Sequence, residues 1–261
     1  MKLQLLSDLH LETEAFDPEP APGAEVLVLA GDIDSSWAGL DRFAGWPVPV
    51  LFVAGNHEFD GRELDAAWPA LEDRCARLGF TLLEQRCTTL AGRDGRRVRF
   101  AGTVRWSDFE VFGPPGHADH ERALRAAEYF QRVMRATRGG AVFDAAAVRV
   151  EGLACRRWLR ATLAEPSRNL WDATVVITHF APSLRSADPR YGRQPGSASF
   201  CNADDALLPR ADLWLHGHLH CRHDYRVDRP SAPATRVVCQ ARGLASKGED
   251  AGFDPLRLLE V

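Results

Sequence analysis

No apolar run in this chain approaches the roughly 20 residues that a membrane-spanning helix needs. No CxxC pair occurs among the six cysteines, Cys75, Cys87, Cys155, Cys201, Cys221 and Cys239. In a chain of 261 residues that scarcity points to buried thiols rather than to a disulfide frame. A basic excess is missing as well. The net charge is −4 and the sequence pI about 6.1, so no global field argues for tight binding to a nucleic-acid backbone. Met1 to Leu6 lack a basic region followed by a long apolar stretch and a small-residue cleavage site, so the expectation is a cytoplasmic protein without a membrane segment. Internal repeats and low-complexity segments are absent too. The sequence carries no signal for an oligomeric state.

What the chain does have is apolar content, 45% of residues, enough to bury a large core. We expect one domain over residues 1–261, with a helical insertion at about 106–165. Short runs rich in Val, Leu and Ile end abruptly in polar residues: Lys2 to Leu6, Glu25 to Ala30, Val48 to Ala54, Val98 to Ala101, Thr174 to Thr178 and Ala211 to Leu215. Runs of that length read as buried strands. Between them, Glu63 to Leu78, His120 to Arg138 and Glu151 to Leu163 repeat apolar residues at three- and four-residue spacing, the mark of amphipathic helices. The alternation predicts an α/β protein. Arg222 to Val227, Thr235 to Gln240 and Leu256 to Val261 add strands near the end. The Pro- and Gly-bearing stretch Ala181 to Ala203 reads as a long loop, a form that is often functional in a compact domain. The basic tract Arg86 to Arg99 reads as a solvated hairpin turn around Gly92 to Arg97.

Acidic, amide and imidazole side chains fall at the ends of the predicted strands. Asp8 and His10 follow the first, Asp32 the second and Asn56-His57 the third; His179 ends Val175 to Thr178, and His216, His218 and His220 follow Trp214-Leu215. In α/β sheets ligands collect at the carboxyl ends of strands, so these segments are expected to deliver their polar residues to one place. If the segments are extended, residues two apart share a side: Asp8 with His10, and His218 with His220, would each grip one ion. Gly31, Gly55 and Gly217 each precede a proposed ligand, where a side chain would crowd a tight turn or a close backbone approach. Imidazoles with carboxylates and an amide suit Mn²⁺, Fe or Zn²⁺ better than Mg²⁺. That set already satisfies two ions, so Cys221 is not expected to bind metal.

In this order, Asp8-x-His10, Gly31-Asp32, Gly55-Asn56-His57-Glu58, His179 and Gly217-His218-x-His220 resemble the calcineurin-like metallophosphoesterase family, with motifs spanning residues 8 to 220. Ser7 to Glu12 and Thr178 to Pro182 are similar to segments of its small bacterial branch. The resemblance implies a four-layer α/β/β/α sandwich of two mixed sheets flanked by helices, and two divalent or trivalent metal ions, with Mn, Fe or Zn expected. By matched position it implies Asp8, His10, Asp32 and His220 around one ion and Asp32, Asn56, His179 and His218 around the other, with Asp32 as the bridge. It also implies hydrolysis of a phosphodiester or phosphomonoester, a nucleotide among the candidates, by a metal-bridging hydroxide with His57 as general acid. Alternatives on the same site are a nuclease, a pyrophosphatase, a lipid-phosphate hydrolase or a catalytically silent interaction scaffold. A scaffold predicts missing ligands, and every position is filled; the acidic balance counts against a nuclease. The expected partner is a small-molecule phosphate ester. Where the protein Ser/Thr phosphatases carry a second Asp to orient the histidine, this chain has Ser35, which counts against protein phosphatase activity and leaves the carboxylate partner of His57 unassigned, with Asp34 a candidate. Arg185, Arg190 and Arg193 are candidates to meet a phosphate, and Trp106, Asp108 and Phe109 to line the mouth of the site.

Overall fold

Each of the apolar runs read as strands pairs with a neighbour in the computed structural model, which describes residues 1–230 and 232–261. In chain order the elements are β1 (Lys2–Leu6), β2 (Val26–Ala30), β3 (Val50–Val53), α1 (Leu64–Leu78), β4 (Phe80–Leu82), β5 (Arg86–Ala91), β6 (Arg97–Thr103) and α2 (Ala118–Met134). There follow β7 (Thr137–Arg138), β8 (Ala141–Val142), α3 (Ala145–Ala164), β9 (Ala173–Thr178), β10 (Leu213–His216), β11 (Arg222–Arg229), β12 (Ala232–Gln240) and β13 (Leu258–Glu260).

Two mixed sheets result. The first runs β13-β1-β2-β3-β4, parallel except for β13 against β1. The second runs β11-β12-β10-β9-β6-β5, with a parallel centre and an antiparallel pair at each edge. Every residue of β2, β3 and β10 is buried, which is why these strands are apolar throughout rather than alternating. One set of their side chains faces the other sheet: Leu3, Leu5, Val28 and Val53 pack with Phe100, Val175, Ile177 and Leu215. The opposite faces are closed by helices. Leu27, Leu29 and Phe52 meet Leu64, Leu71 and Cys75 of α1, while Val176, Trp214 and Val237 meet Leu159 of α3. The layering is that of the expected sandwich.

Element boundaries differ from expectation in instructive places. α2 stops at Met134, short of Arg138, because Arg135 turns into the left-handed region at φ 54° and the chain enters the β7–β8 hairpin. α3 begins well before Glu151: Asp144 caps it, accepting from the Ala147 N–H at 2.9 Å. The basic tract does form a hairpin turn, but with the added strand β5 paired to β6. Segment 106–165 holds α2, α3 and the small hairpin. The stretch Ala181 to Ala203 is a loop tied at its ends, with Ala181 N–H donating to the Phe200 carbonyl and Asn202 N–H to the Ala181 carbonyl, and it carries 3₁₀ turns at Leu184–Ser186 and Pro195–Ser199. All six cysteines are free; Cys87 is exposed and Cys221 half-buried, so only four match the expectation of buried thiols.

Candidate metal centre

The carboxyl ends of β1, β2 and β3 in one sheet meet those of β9 and β10 in the other. Backbone bonds lock the junction: Asp8 N–H donates to the Gly31 carbonyl at 3.0 Å, and Gly217 N–H to the His179 carbonyl at 3.0 Å. Side chains cross between the sheets as well. The Asp8 carboxylate accepts from the His218 N–H at 2.8 Å, and His179 Nδ1 lies 2.8 Å from the Ala30 carbonyl. Three groups of potential ligands assemble here: Asp8, His10 and His220; Asp32, His179 and His218; and His10, Asp32 and His57, which joins the other two. Within each, one ligand atom per residue lies within 4.8 Å of the others. Asn56 Oδ1 stands 3.3 Å from His179 Nε2, itself 3.2 Å from Asp32 Oδ2.

The segments that deliver these side chains are not extended. Asp8, His10, Asp32, His218 and His220 all sit in the left-handed backbone region, at φ 54°, 47°, 53°, 74° and 49°. Non-glycine residues avoid that region, and its concentration at one site is backbone strain held in place by the surrounding sheets. Asp8 and His10 do share a group as the two-residue spacing implied, but for His218 and His220 that reading is corrected: they go to different groups. Three glycines are required by the approach, Gly217 among them, where a Cβ would stand 2.6 Å from Asp8 Oδ2. A Cβ at Gly31, which has φ 85°, would stand 2.3 Å from His179 Nδ1, and one at Gly55 2.2 Å from Asp32 Oδ1.

Four carboxylates outside the motifs' assigned roles organise the site. Glu12 lies 3.2 Å from His10 Nδ1 and Glu249 2.7 Å from His220 Nδ1. Glu58, fully buried, accepts from the N–H groups of Asp32, Ile33 and Gly55 at 3.0, 2.7 and 2.6 Å, tying the loops after β2 and β3 together. Asp60 stands 2.6 Å from His57 Nδ1. Asp34, the sequence candidate for that partnership, instead accepts from Ser36 and Gly39 N–H within its own loop. Glu12, Glu58 and Asp60 lie within three residues of a motif histidine and so had a local signal; Glu249 is distant in sequence.

Electrostatics and donor chemistry both fit cations at this place. His10 Nε2 and His220 Nε2 lie 3.0 Å apart, and when each Nδ1 donates to its carboxylate, Glu12 or Glu249, both Nε2 atoms are left with lone pairs for a cation between them. The buried Asp8 Oδ2 has no hydrogen-bond partner. His218 Nε2 rests on the Ser199 carbonyl at 3.1 Å, leaving Nδ1 free as a donor atom. Burial works against a charged His57 ring, but Asp32 and Asp60 override it and raise the group to about 10. Burial drives His218 well below its ordinary value.

A family model of calcineurin-like phosphoesterases matches residues 3–222. The chain belongs to the calcineurin-like phosphoesterase family. Membership makes it a phosphoesterase, and the three groups of ligands are its candidate metal sites. Among solved structures, this phosphoesterase is similar to a dimetal phosphatase from Danio rerio at 14% identity, over 91% of this chain and 86% of that one, with a TM-score of 0.49. A second solved structure is similar at 12% identity, over 95% and 92%, with a TM-score of 0.46. None of the curated proteins compared with the chain matches it.

The remaining sequence candidates separate cleanly. His216 is buried outside the three groups, with Nε2 3.1 Å from Ser186 Oγ, and burial lowers it to about 3. Cys221 also lies outside them, its thiol 3.0 Å from His223 Nε2 and pushed up to about 12 by burial. Arg190 lines the cleft above the site, whereas Arg185 lies over the Tyr225 ring and Arg193 over Phe112. Trp106 does line the cleft; Asp108 is taken up by Arg105 and Phe109 by the core.

Proposed function

We propose that the phosphoesterase hydrolyses a small phosphodiester or phosphomonoester, with one ion held by Asp8, His10, Asp32 and His220 and the other by Asp32, Asn56, His179 and His218. The observation that supports this most is the joining of the two ligand groups through Asp32 at the floor of a cleft of 910 Å³, with His57 beside them. Bound there, the cations supply Lewis-acid stabilisation of the charge that develops on the phosphoryl oxygens. Asp32 stands between the two groups: its Oδ2 lies 3.2 Å from His179 Nε2, and it also clusters with His10 of the other group.

His57 is the proton donor to the leaving oxygen in this reading. Asp60 fixes its Nδ1, so the Nε2 proton points into the cleft rather than into the protein. The carboxylates behind His10 and His220 hold the tautomers in which Nε2 is the free donor atom. The helical segment 106–165 and the 181–203 loop supply the walls of the cleft within one domain. Mn, Fe or Zn fits the nitrogen-rich donor set.

A screen of metal-supplemented protein against p-nitrophenyl phosphate, bis-p-nitrophenyl phosphate and a panel of linear and cyclic nucleotides tests the reading. Hydrolysis of at least one of these, lost in Asp32→Ala, is the expected result. A protein that turns over none of them with any of Mn²⁺, Fe²⁺ or Zn²⁺ contradicts it.

A further inference from the structure

The cleft is much larger than a phosphate. At 910 Å³ it lies near the upper end of the range for pockets that enclose whole organic ligands, about 300–1,000 Å³. Its walls are not generic. α2 turns one face toward it, carrying Arg122, Arg125, Tyr129, Phe130 and Val133 at helical spacing, and the 181–203 loop faces that helix with Tyr191 and Phe200. Tyr129, Val133 and Tyr191 are 62%, 54% and 63% exposed, so the core does not need them.

The rings form a continuous strip that starts at the metal centre. Phe200 stacks on the His218 ring with centroids 4.9 Å apart and planes 29° apart. Phe130 meets Phe200 edge-on at 5.1 Å, and Tyr129 meets Phe130 at 5.5 Å. At the N-terminal end of the same helix face, Arg125 makes no ion pair among the described residues, while Arg122 is held by Asp119 at 3.1 Å. A run of edge-to-face rings thus leads out from the reacting centre, with an unpaired guanidinium one helical turn from Tyr129. It matches a flat ring more closely than a flexible aliphatic chain, because the alternating edges and faces suit aromatic contact and the cation is available to a polar or anionic substituent.

Granted the two-cation reading of the floor, we propose that the Tyr129–Phe130–Phe200 strip is a substrate subsite, and that the preferred substrate is a phosphate ester whose second group carries a flat ring system of nucleoside type. The strip is a specificity device. It touches no reacting atom, and the binding energy it supplies acts through placement of the phosphate over the metal centre.

Three p-nitrophenyl phosphodiesters with one shared leaving group and thymidine 5′-, octyl or methyl as the second group provide the test with Mn²⁺-supplemented protein. The thymidine ester should exceed the methyl ester in kcat/KM by about tenfold or more, and Tyr129→Ala should bring that ratio toward one. Because Tyr129 is exposed, the substitution leaves the fold intact. Calorimetry of thymidine 5′-monophosphate gives a readout independent of turnover, and binding should weaken by a similar factor in the same variant. A wild-type ratio near one, a ratio or a nucleotide affinity unaltered in Tyr129→Ala, or a preference for the octyl ester would overturn the subsite. Failure to cleave any of the esters while thymidine 5′-monophosphate still binds in a Tyr129-dependent way would remove the catalytic reading and keep the subsite.

Discussion

His57 Nδ1 and Asp60 Oδ2 are 2.6 Å apart across a single 3₁₀ turn, so the histidine proposed to move a proton is oriented by a carboxylate from its own segment. The turn itself is short and rigid: Asp60 N–H donates to the His57 carbonyl, and the intervening Glu58 and Phe59 are buried. Asp60→Asn keeps an oxygen near Nδ1 but removes the charge. Turnover should fall by about tenfold or more, with metal content, measured by elemental analysis, unaltered. Wild-type turnover in Asp60→Asn would show that the pair does not serve catalysis.

His57→Ala should separate proton donation from metal binding. Bound metal is expected to remain, while kcat falls more for an alkyl phosphate than for an activated aryl phosphate, whose leaving group needs no proton. Equal losses on both substrates would argue against the proton-donor role.

Glu58 is expected to matter through the loops it joins. Its carboxylate gathers backbone N–H donors from the turns that carry Asp32 and Asn56, and Glu58→Ala leaves them buried without an acceptor. A loss of stability on the order of 3 kcal/mol is expected, read as a lowered urea midpoint together with weaker metal retention. A midpoint within error of wild type would mean that other groups satisfy those donors.

Arg105 holds the cleft walls together. Fully buried, it grips Asp204 through Nε and Nη2 at 2.7 and 2.9 Å, Asp108 at 2.8 Å, and the carbonyls of Trp106 and Gly152 at 2.9 and 3.0 Å. Arg105→Met leaves two buried carboxylates without their main counter-charge and should cost about 3–5 kcal/mol. Arg105→Lys should recover little, since an ammonium cannot reproduce the fork. Chemical denaturation of both variants checks the pair of expectations.

Glu84 gives stability a pH dependence away from the metal centre. Burial raises its carboxyl to about 7, against the opposing bonds from Val104 N–H and Thr103 Oγ1. An unfolded chain loses the same proton near 4.5, so between about 4.5 and 7 the folded state binds more protons than the unfolded one, and stability falls as pH rises. Glu84→Gln mimics the protonated acid and should lack this slope. Thermal unfolding at pH 5 and pH 8 should therefore show the variant gaining on the wild type at the higher pH; parallel changes in both would refute the assignment.

How far the sequence reached is clearest at particular positions. β2 and β3 were legible because parallel strands buried on both faces must be apolar throughout, and Asp32 and Asn56 were legible because polarity returns abruptly where those strands end. α3 was placed too late because its first turns are alanine-rich and give a weak periodic signal, although Asp144 was available as a cap. β5 was hidden in a basic tract whose side chains face water. The convergence of His10 with His220 could be expected from strand order, but not the left-handed backbone that brings it about.

The sequence by itself determined the residue types at the strand ends, the alternation that makes an α/β sandwich, and the family to which those motifs point. Tertiary structure alone decided that the ligand loops turn through the left-handed region, that Asp60 rather than Asp34 meets His57, and that Glu249 supports His220. The reason is physical. Strand-forming patterns and motif spacing are local properties of the chain, whereas a loop residue's direction depends on φ and ψ fixed by contacts between two sheets, and those contacts join residues that no spacing in the sequence relates.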